Sequence, residues 1–187
     1  MKRVFIIHGW DFNPKMNWYS WLKTELENKK YEVIVPTMPN TSKPIIEDWV
    51  SHLKKVVGKL DEETYFIGHS IGCQTIMRFL EKEKFNGKIP KIVFVAGWFK
   101  LDNLEDEEVA QIARPWLEKT IDFDKINEKI SELIVFLSNN DPYNYIEENK
   151  DKFEKELKAK VMILKDKGHF TKEDCVLELD EVLDIIK

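Results

Sequence analysis

Short β-rich apolar runs alternate with helix-length amphipathic stretches along the whole chain. Residues 3–8 hold Val4, Phe5, Ile6 and Ile7 in unbroken succession, the pattern of a strand buried on both faces. In residues 17–29, Trp18, Trp21, Leu22 and Leu26 recur at helical spacing. A second strand is predicted over 31–36. Pro36, Pro39 and Pro44 then interrupt regular structure. Residues 47–59 predict a helix with Trp49, Leu53, Val56 and Val57 inward, and 64–68 a third strand. The next helix, 71–83, carries Ile76, Met77, Phe79 and Leu80. A fourth strand is read over 89–96 and a fifth over 132–138. Short helical patches lie between them at 106–113 and 124–130. A charged helix over 145–158, a sixth strand over 161–164 and an amphipathic helix over 172–186 complete the chain. The last helix has Val176, Leu179, Val182 and Leu183 as its stripe. Such alternation predicts an α/β fold: a six-stranded, mostly parallel sheet with helices on both faces and right-handed crossovers. No repeat or linker divides it, so residues 1–187 are expected to form one domain.

Composition narrows the partners. A net charge of −5 gives no electrostatic case for nucleic acid or an anionic membrane. No apolar stretch approaches the ~20 residues of a membrane helix. No export signal is visible, and the cytoplasm is the expected compartment. The two cysteines, Cys73 and Cys175, form no Cys-X-X-Cys pair. Neither a disulfide framework nor a metal site is expected, and no cofactor. Oligomeric state is not legible.

One stretch carries chemistry. The third predicted strand ends in Gly68-His69-Ser70-Ile71-Gly72, and a helix opens directly after it. Gly-X-Ser-X-Gly in a strand–turn–helix context is a nucleophile elbow, which holds a serine hydroxyl out at the carboxyl end of a strand. A serine needs a base to take its proton and a third group to orient that base. Asp141 and His169 follow the fifth and sixth strands and give the chain order Ser, Asp, His. Pro142 biases Asp141 to extended geometry, and Gly168 lets the chain turn before His169. His8 and His69 read as structural and His52 as solvated. Asp102 and Asp166 are the weaker candidates for the acid. The backbone amides of Ile71 and Trp10 are the expected oxyanion donors. Trp98, Phe99, Trp116 and Phe170 are candidate apolar walls, each of which reads at least as well as core packing.

These residues resemble the small serine hydrolases of the retinoblastoma-binding-protein-9 and YdeN type, within the α/β-hydrolases. The resemblance runs through His8-Gly9-Trp10, Pro36-Thr37-Met38-Pro39 and the elbow. It continues through Ser138-Asn139-Asn140-Asp141-Pro142-Tyr143 and Gly168-His169-Phe170. It implies a compact six-stranded α/β-hydrolase without a large lid, acting as an esterase or peptidase through Ser70, Asp141 and His169. The retinoblastoma-binding role does not carry over, because no Leu-X-Cys-X-Glu segment is present. Residues 101–130 are too short and too charged for a lipase lid, which argues against long-chain triglycerides. The expected function is a serine hydrolase of small esters or amides, with carboxylesterase ahead of thioesterase and aminopeptidase. The alternative is a catalytically silent or regulatory protein-binding module on the same fold.

Overall fold

The computed structural model describes residues 1–104, 106–143 and 145–186. In chain order the elements are β1 (Arg3–Ile7), α1 (Tyr19–Asn28), β2 (Glu32–Ile34), α2 (Ile46–Val57), β3 (Thr64–His69) and α3 (Ile71–Lys82). They continue with β4 (Ile92–Val95), α4 (Glu107–Glu118), α5 (Phe123–Asn127), β5 (Leu133–Ser138), α6 (Ile146–Leu157), β6 (Lys160–Leu164) and α7 (Asp180–Ile186). The strands form one sheet in the order β2-β1-β3-β4-β5-β6, and every pairing is parallel.

Strand order and crossover handedness together decide which helix covers which face. The chain steps outward from β1 to β2, then reverses and passes β1 to reach β3. A right-handed crossover that reverses direction must change face. Accordingly α1 packs on one side, with Trp18, Tyr19, Leu22 and Leu26 against Val4, Ile6 and Ile67. The later crossovers cover the other side, where Trp49 and Leu53 of α2, Phe79 of α3 and Phe153 of α6 join Phe5, Ile7 and Phe66. After β6 the chain returns to the first face, and Val182, Leu183 and Ile186 of α7 join the α1 cluster. Successive side chains of β1 thus enter different cores, as the two-residue period of a strand requires. Each fully buried aliphatic or aromatic side chain contributes about 1.5–3 kcal/mol by leaving water.

Three elements differ from the sequence pattern. The helix expected over 172–186 is helical only from Asp180. Its first part is a turn, because the Asp174 carboxylate binds the Thr171 amide and hydroxyl and Cys175 adopts φ 61°. Here local side-chain bonds compete with the helix and prevail. Helix α4 runs on to Glu118 through Pro115, at the cost of one backbone bond. The turn is held from outside: the Trp116 indole donates to Pro44 O, and Arg78 donates to Trp116 O. The fourth strand is shorter than expected, with Ile89 making only an isolated bridge to Ile130. No helix among the described residues is long and apolar enough to cross a membrane.

The connections of β1 and β3 leave in opposite directions from adjacent strands. Their carboxyl ends therefore flank the topological switch point, where open α/β sheets form a crevice. Gly72, in the first turn of α3, seats the helix against the end of β1. A Cβ at position 72 would lie 2.2 Å from Ile7 O. Backbone on both sides leaves no flexible atom to yield. Gly72→Ala is expected to cost about 3 kcal/mol, the upper end for overpacking, read as a lowered urea midpoint with unchanged slope.

Candidate active site

Ser70 sits between β3 and α3 at φ 54° and ψ −120°, a left-handed region that L residues seldom occupy. Strain of this kind costs about 1–3 kcal/mol and persists only where surrounding packing enforces it. The enforcement is visible: Ser70 N donates to Val95 O at 2.9 Å, and Cys73 N to Ser70 O at 3.0 Å. The hydroxyl is thereby held at the amino terminus of α3, where free amides and the helix dipole favour developing negative charge.

Asp141 and His169 leave β5 and β6 and meet, His169 Nδ1 lying 2.9 Å from Asp141 Oδ2. The two loops are laced together beneath this pair. Asn140 Oδ1 accepts from Gly168 N and from Ser138 Oγ, Ser138 Oγ accepts from Lys167 N, and Asn139 Oδ1 accepts from Asp166 N. The run Ser138-Asn139-Asn140 thus supplies side-chain acceptors for the backbone that precedes His169. On the far side, Asp174 Oδ2 accepts from His169 N at 2.9 Å. Gly168 has φ +52°, and a Cβ there would fall 2.0 Å from Asp174 Oδ1. Asp141 Oδ1 also accepts from Tyr143 N.

The alternative acids are engaged elsewhere. Asp102 Oδ1 accepts from Asn103 N and Tyr145 Oη, and the Asp166 carboxylate lies beside Lys165. His8 Nε2 accepts from Met38 N, so its Nδ1–H donates to Gly9 O and braces the loop after β1. His69 is fully buried beneath the site. Its Nε2–H donates to His169 O at 2.8 Å, and its Nδ1 accepts from Tyr19 Oη at 2.5 Å. The Tyr19 hydroxyl in turn accepts from Gly9 N and Asn17 Nδ2. One neutral imidazole therefore joins the serine elbow, the loop after β1 and the loop that carries His169. Burial, reinforced by the neighbouring His169 ring, pushes His69 down to about 3. Burial also lowers His8.

Ser70 and His169 open into one cleft of about 590 Å³. Trp10, Trp98, Leu101, Val109, Ile112 and Tyr143 form its apolar walls. The Trp10 indole donates to Ser42 O and ties the loop after β1 to the loop after β2. Trp10 and Ile71 both line the cleft beside Ser70, and their backbone amides make no hydrogen bond to another described residue. Ser70 Oγ accepts from Trp98 Nε1 at 3.3 Å, and no hydrogen bond joins it to His169 among the described residues. Of the four aromatic candidates for the wall, only Trp98 faces the cleft. Phe170 is wholly buried in the α1–α7 core, where its carbonyl accepts from Trp18 Nε1. Trp116 is buried against Trp49, and Phe99 packs on Phe123 and Phe153. These three are corrected to packing residues: the loop after β4 and helix α4 place Phe99 and Trp116 in the other core, and the turn after β6 buries Phe170 against α1.

Tyr143, whose ring stands edge-on to His169 at 5.2 Å, belongs to the Asp141-Pro142-Tyr143 segment of the resemblance, but its place in the cleft wall was not expected from the sequence. Nor was the role of Asp174, whose carboxylate reaches back to the amide and hydroxyl of Thr171, a local bond of the kind that competes with a helix. A larger depression of about 980 Å³ lies near residues 82–86, at the opposite end of α3 from Ser70. It is lined by mixed lysines and glutamates and does not include Ser70, Asp141 or His169. Among the described residues no group of three or more His, Cys, Asp or Glu side chains could hold a metal.

An open parallel sheet with a strained serine at its switch point is the architecture of the α/β-hydrolases. Over residues 4–187 the chain matches the family model described as serine hydrolase, and it belongs to that family. It is similar to the hydrolase YdeN of Bacillus subtilis, 29% identical over 185 residues that cover 99% of this chain and 94% of that protein. The crystal structure of the B. subtilis ydeN product superposes with a TM-score of 0.90 at 28% identity, covering 100% of this chain and 97% of that one. The serine hydrolase RBBP9 of Rattus norvegicus is 25% identical over 172 residues, 91% of this chain and 84% of that protein. Est1E of Butyrivibrio proteoclasticus shares the fold alone, with a TM-score of 0.69 at 13% identity over 100% of this chain and 89% of that one.

Buried His69 sets a pH dependence of stability. An unfolded imidazole titrates near 6.5, whereas folded His69 titrates near 3. Between these values the unfolded chain binds the proton and the native chain does not, so stability falls as pH drops. The contribution is complete above pH 6.5 and lost progressively toward pH 3. From pH 6.5 to 5, above the ordinary carboxylate range, the slope contributed by His69 is expected to approach about 1.4 kcal/mol per pH unit. Urea titrations at stepped pH measure it, and His69→Gln should flatten the curve.

Proposed function

We propose that this serine hydrolase cleaves small carboxylic esters or amides through an acyl-enzyme on Ser70. His169 acts as general base, Asp141 orients it, and the amides of Trp10 and Ile71 receive the oxyanion. The observation that carries this reading is the buried 2.9 Å bond between Asp141 and Nδ1 of His169, whose ring lines the cleft that Ser70 enters. With Nδ1–H donated to the carboxylate, Nε2 is left as the acceptor for the serine proton. Ser70 attacks the substrate carbonyl, its proton passes to His169, and the imidazolium is stabilised by Asp141. The leaving alcohol or amine takes that proton. Water, deprotonated by the same nitrogen, then releases the acid.

Substrate class follows from the walls. Apolar surface surrounds the nucleophile, and among the described residues the rim carries Asp11, Asp106 and Glu108 against one cation, Lys43. Lys43 is itself paired with Glu108 at 2.7 Å. A neutral acyl group suits such a site better than an anionic one. Carboxylic esters come first, then thioesters and aminoacyl amides.

Ser70→Ala is expected to abolish covalent labelling by a fluorophosphonate probe while the thermal midpoint stays within a few degrees of the parent. Asp141→Asn should lower turnover of a p-nitrophenyl ester by about 10⁴, because the wrong imidazole tautomer is then favoured. Labelling that survives Ser70→Ala, or a near-normal rate in Asp141→Asn, would overturn these roles. Exhaustive dialysis against EDTA should leave the rate unchanged. Loss of activity with recovery on adding zinc or manganese would point instead to metal-activated water.

A further inference from the structure

The hydrogen bond that Ser70 Oγ accepts from Trp98 Nε1 lies outside the proposed triad. An indole nitrogen only donates. The contact therefore engages a lone pair of Oγ and leaves the hydroxyl proton for another acceptor. Trp98 is buried, and the loop after β4 that carries it is clamped from two helices. Gln74 of α3 donates to Trp98 O at 2.6 Å. Asn149 of α6, itself buried, accepts from Phe99 N at 2.7 Å and Lys100 N at 2.9 Å and donates to Lys100 O at 2.8 Å. Ala96, at the start of the same loop, has φ 50°. A donor fixed this firmly against a nucleophile is preorganised, which is what makes electrostatic stabilisation effective.

We propose that Trp98 is a catalytic residue that stabilises negative charge on Ser70 Oγ when Oγ is the leaving group of deacylation. The proposal rests on the reading of Ser70 as the nucleophile. In that half-reaction a water oxygen bonds to the acyl carbon and its proton passes to His169 Nε2. The tetrahedral intermediate collapses, the bond from carbon to Oγ breaks, and its electron pair goes to Oγ. Oγ then takes the proton from His169, and the carboxylic acid departs. The indole N–H strengthens its bond to Oγ as the charge arrives, since bonds to ionised acceptors are about twice as strong as neutral ones. In acylation the starting state is the free hydroxyl, which already accepts this bond, whereas in deacylation it is the ester oxygen of the acyl-enzyme, a poor acceptor, so the same donor lowers the acylation barrier less. Loss of the N–H is expected to slow deacylation about 10- to 100-fold, the range for a bond to a charged group.

The test compares the parent with Trp98→Phe and with a protein carrying benzothienylalanine at position 98, which keeps the bicyclic shape but has sulfur in place of N–H. Hydrolysis of p-nitrophenyl acetate is followed through the burst, and decay of the acetyl-enzyme is measured by intact mass after quenching. Acetyl-Ser70 should accumulate in both variants, with kcat and KM falling together. Both kcat/KM and the rate of fluorophosphonate labelling should stay within about threefold of the parent. Deacetylation at the parental rate in a variant that is labelled normally overturns the Trp98 role alone. So does a fall in kcat/KM equal to the fall in kcat without acetyl-enzyme, which marks general damage to the site. If Trp98→Phe does not fold, the benzothienyl protein decides. Failure of the parent to be labelled at Ser70 overturns the nucleophile reading and this proposal with it.

Discussion

The contact between the amino terminus of α3 and the carboxyl end of β1 governs much of what surrounds it. Gly72 is pressed against Ile7 O so closely that no side chain fits. That approach brings α3 down onto the sheet and leaves Ser70 in a conformation it would not otherwise hold. The strain is sustained by the packing of α3, ten of whose twelve residues are buried. A loosely packed helix would relax the turn and lower the hydroxyl out of the cleft. Stability in the body of the protein and geometry at the serine are here one property.

A second device brings together residues far apart in the chain. Asp141 and His169 stand on separate loops, and loops at a sheet edge have little intrinsic order. Ser138, Asn139 and Asn140 convert the gap between them into a hydrogen-bonded seam, and Asp174 closes it from the other side. Buried His69 extends the seam under the elbow to Tyr19 and to the loop after β1. Its neutrality is a condition of this arrangement, because a charged ring could not accept from Tyr19. The protein thus keeps a titratable group in its interior as structure, and acid sensitivity follows.

Much of the fold was legible in the sequence because its signals are local. Alternation of β-rich runs with 3.6-residue periodicity marks the strands and helices, and Gly-X-Ser-X-Gly between a strand and a helix has few other uses. Positions just beyond strand ends located Ser70, Asp141 and His169 on one edge, since parallel strands all end on the same side. The helix expected over 172–186 begins only at Asp180 for a local reason: Asp174 offers the backbone a competing set of bonds that hydrophobic spacing does not register.

By itself, the sequence determined the class of fold, the elbow and the edge on which chemistry can occur, because each depends on short-range pattern and on chain handedness. Tertiary structure alone decided which aromatic faces the serine. Trp98, Phe99, Trp116 and Phe170 have equivalent hydrophobic credentials, yet only Trp98 turns toward Oγ. That choice depends on β4 lying beside β3 and on a clamp from α3 and α6, contacts between segments dozens of residues apart. Burial can be read from periodicity. The direction in which a buried side chain points is set by its neighbours in space, and those are known only once the sheet has its order.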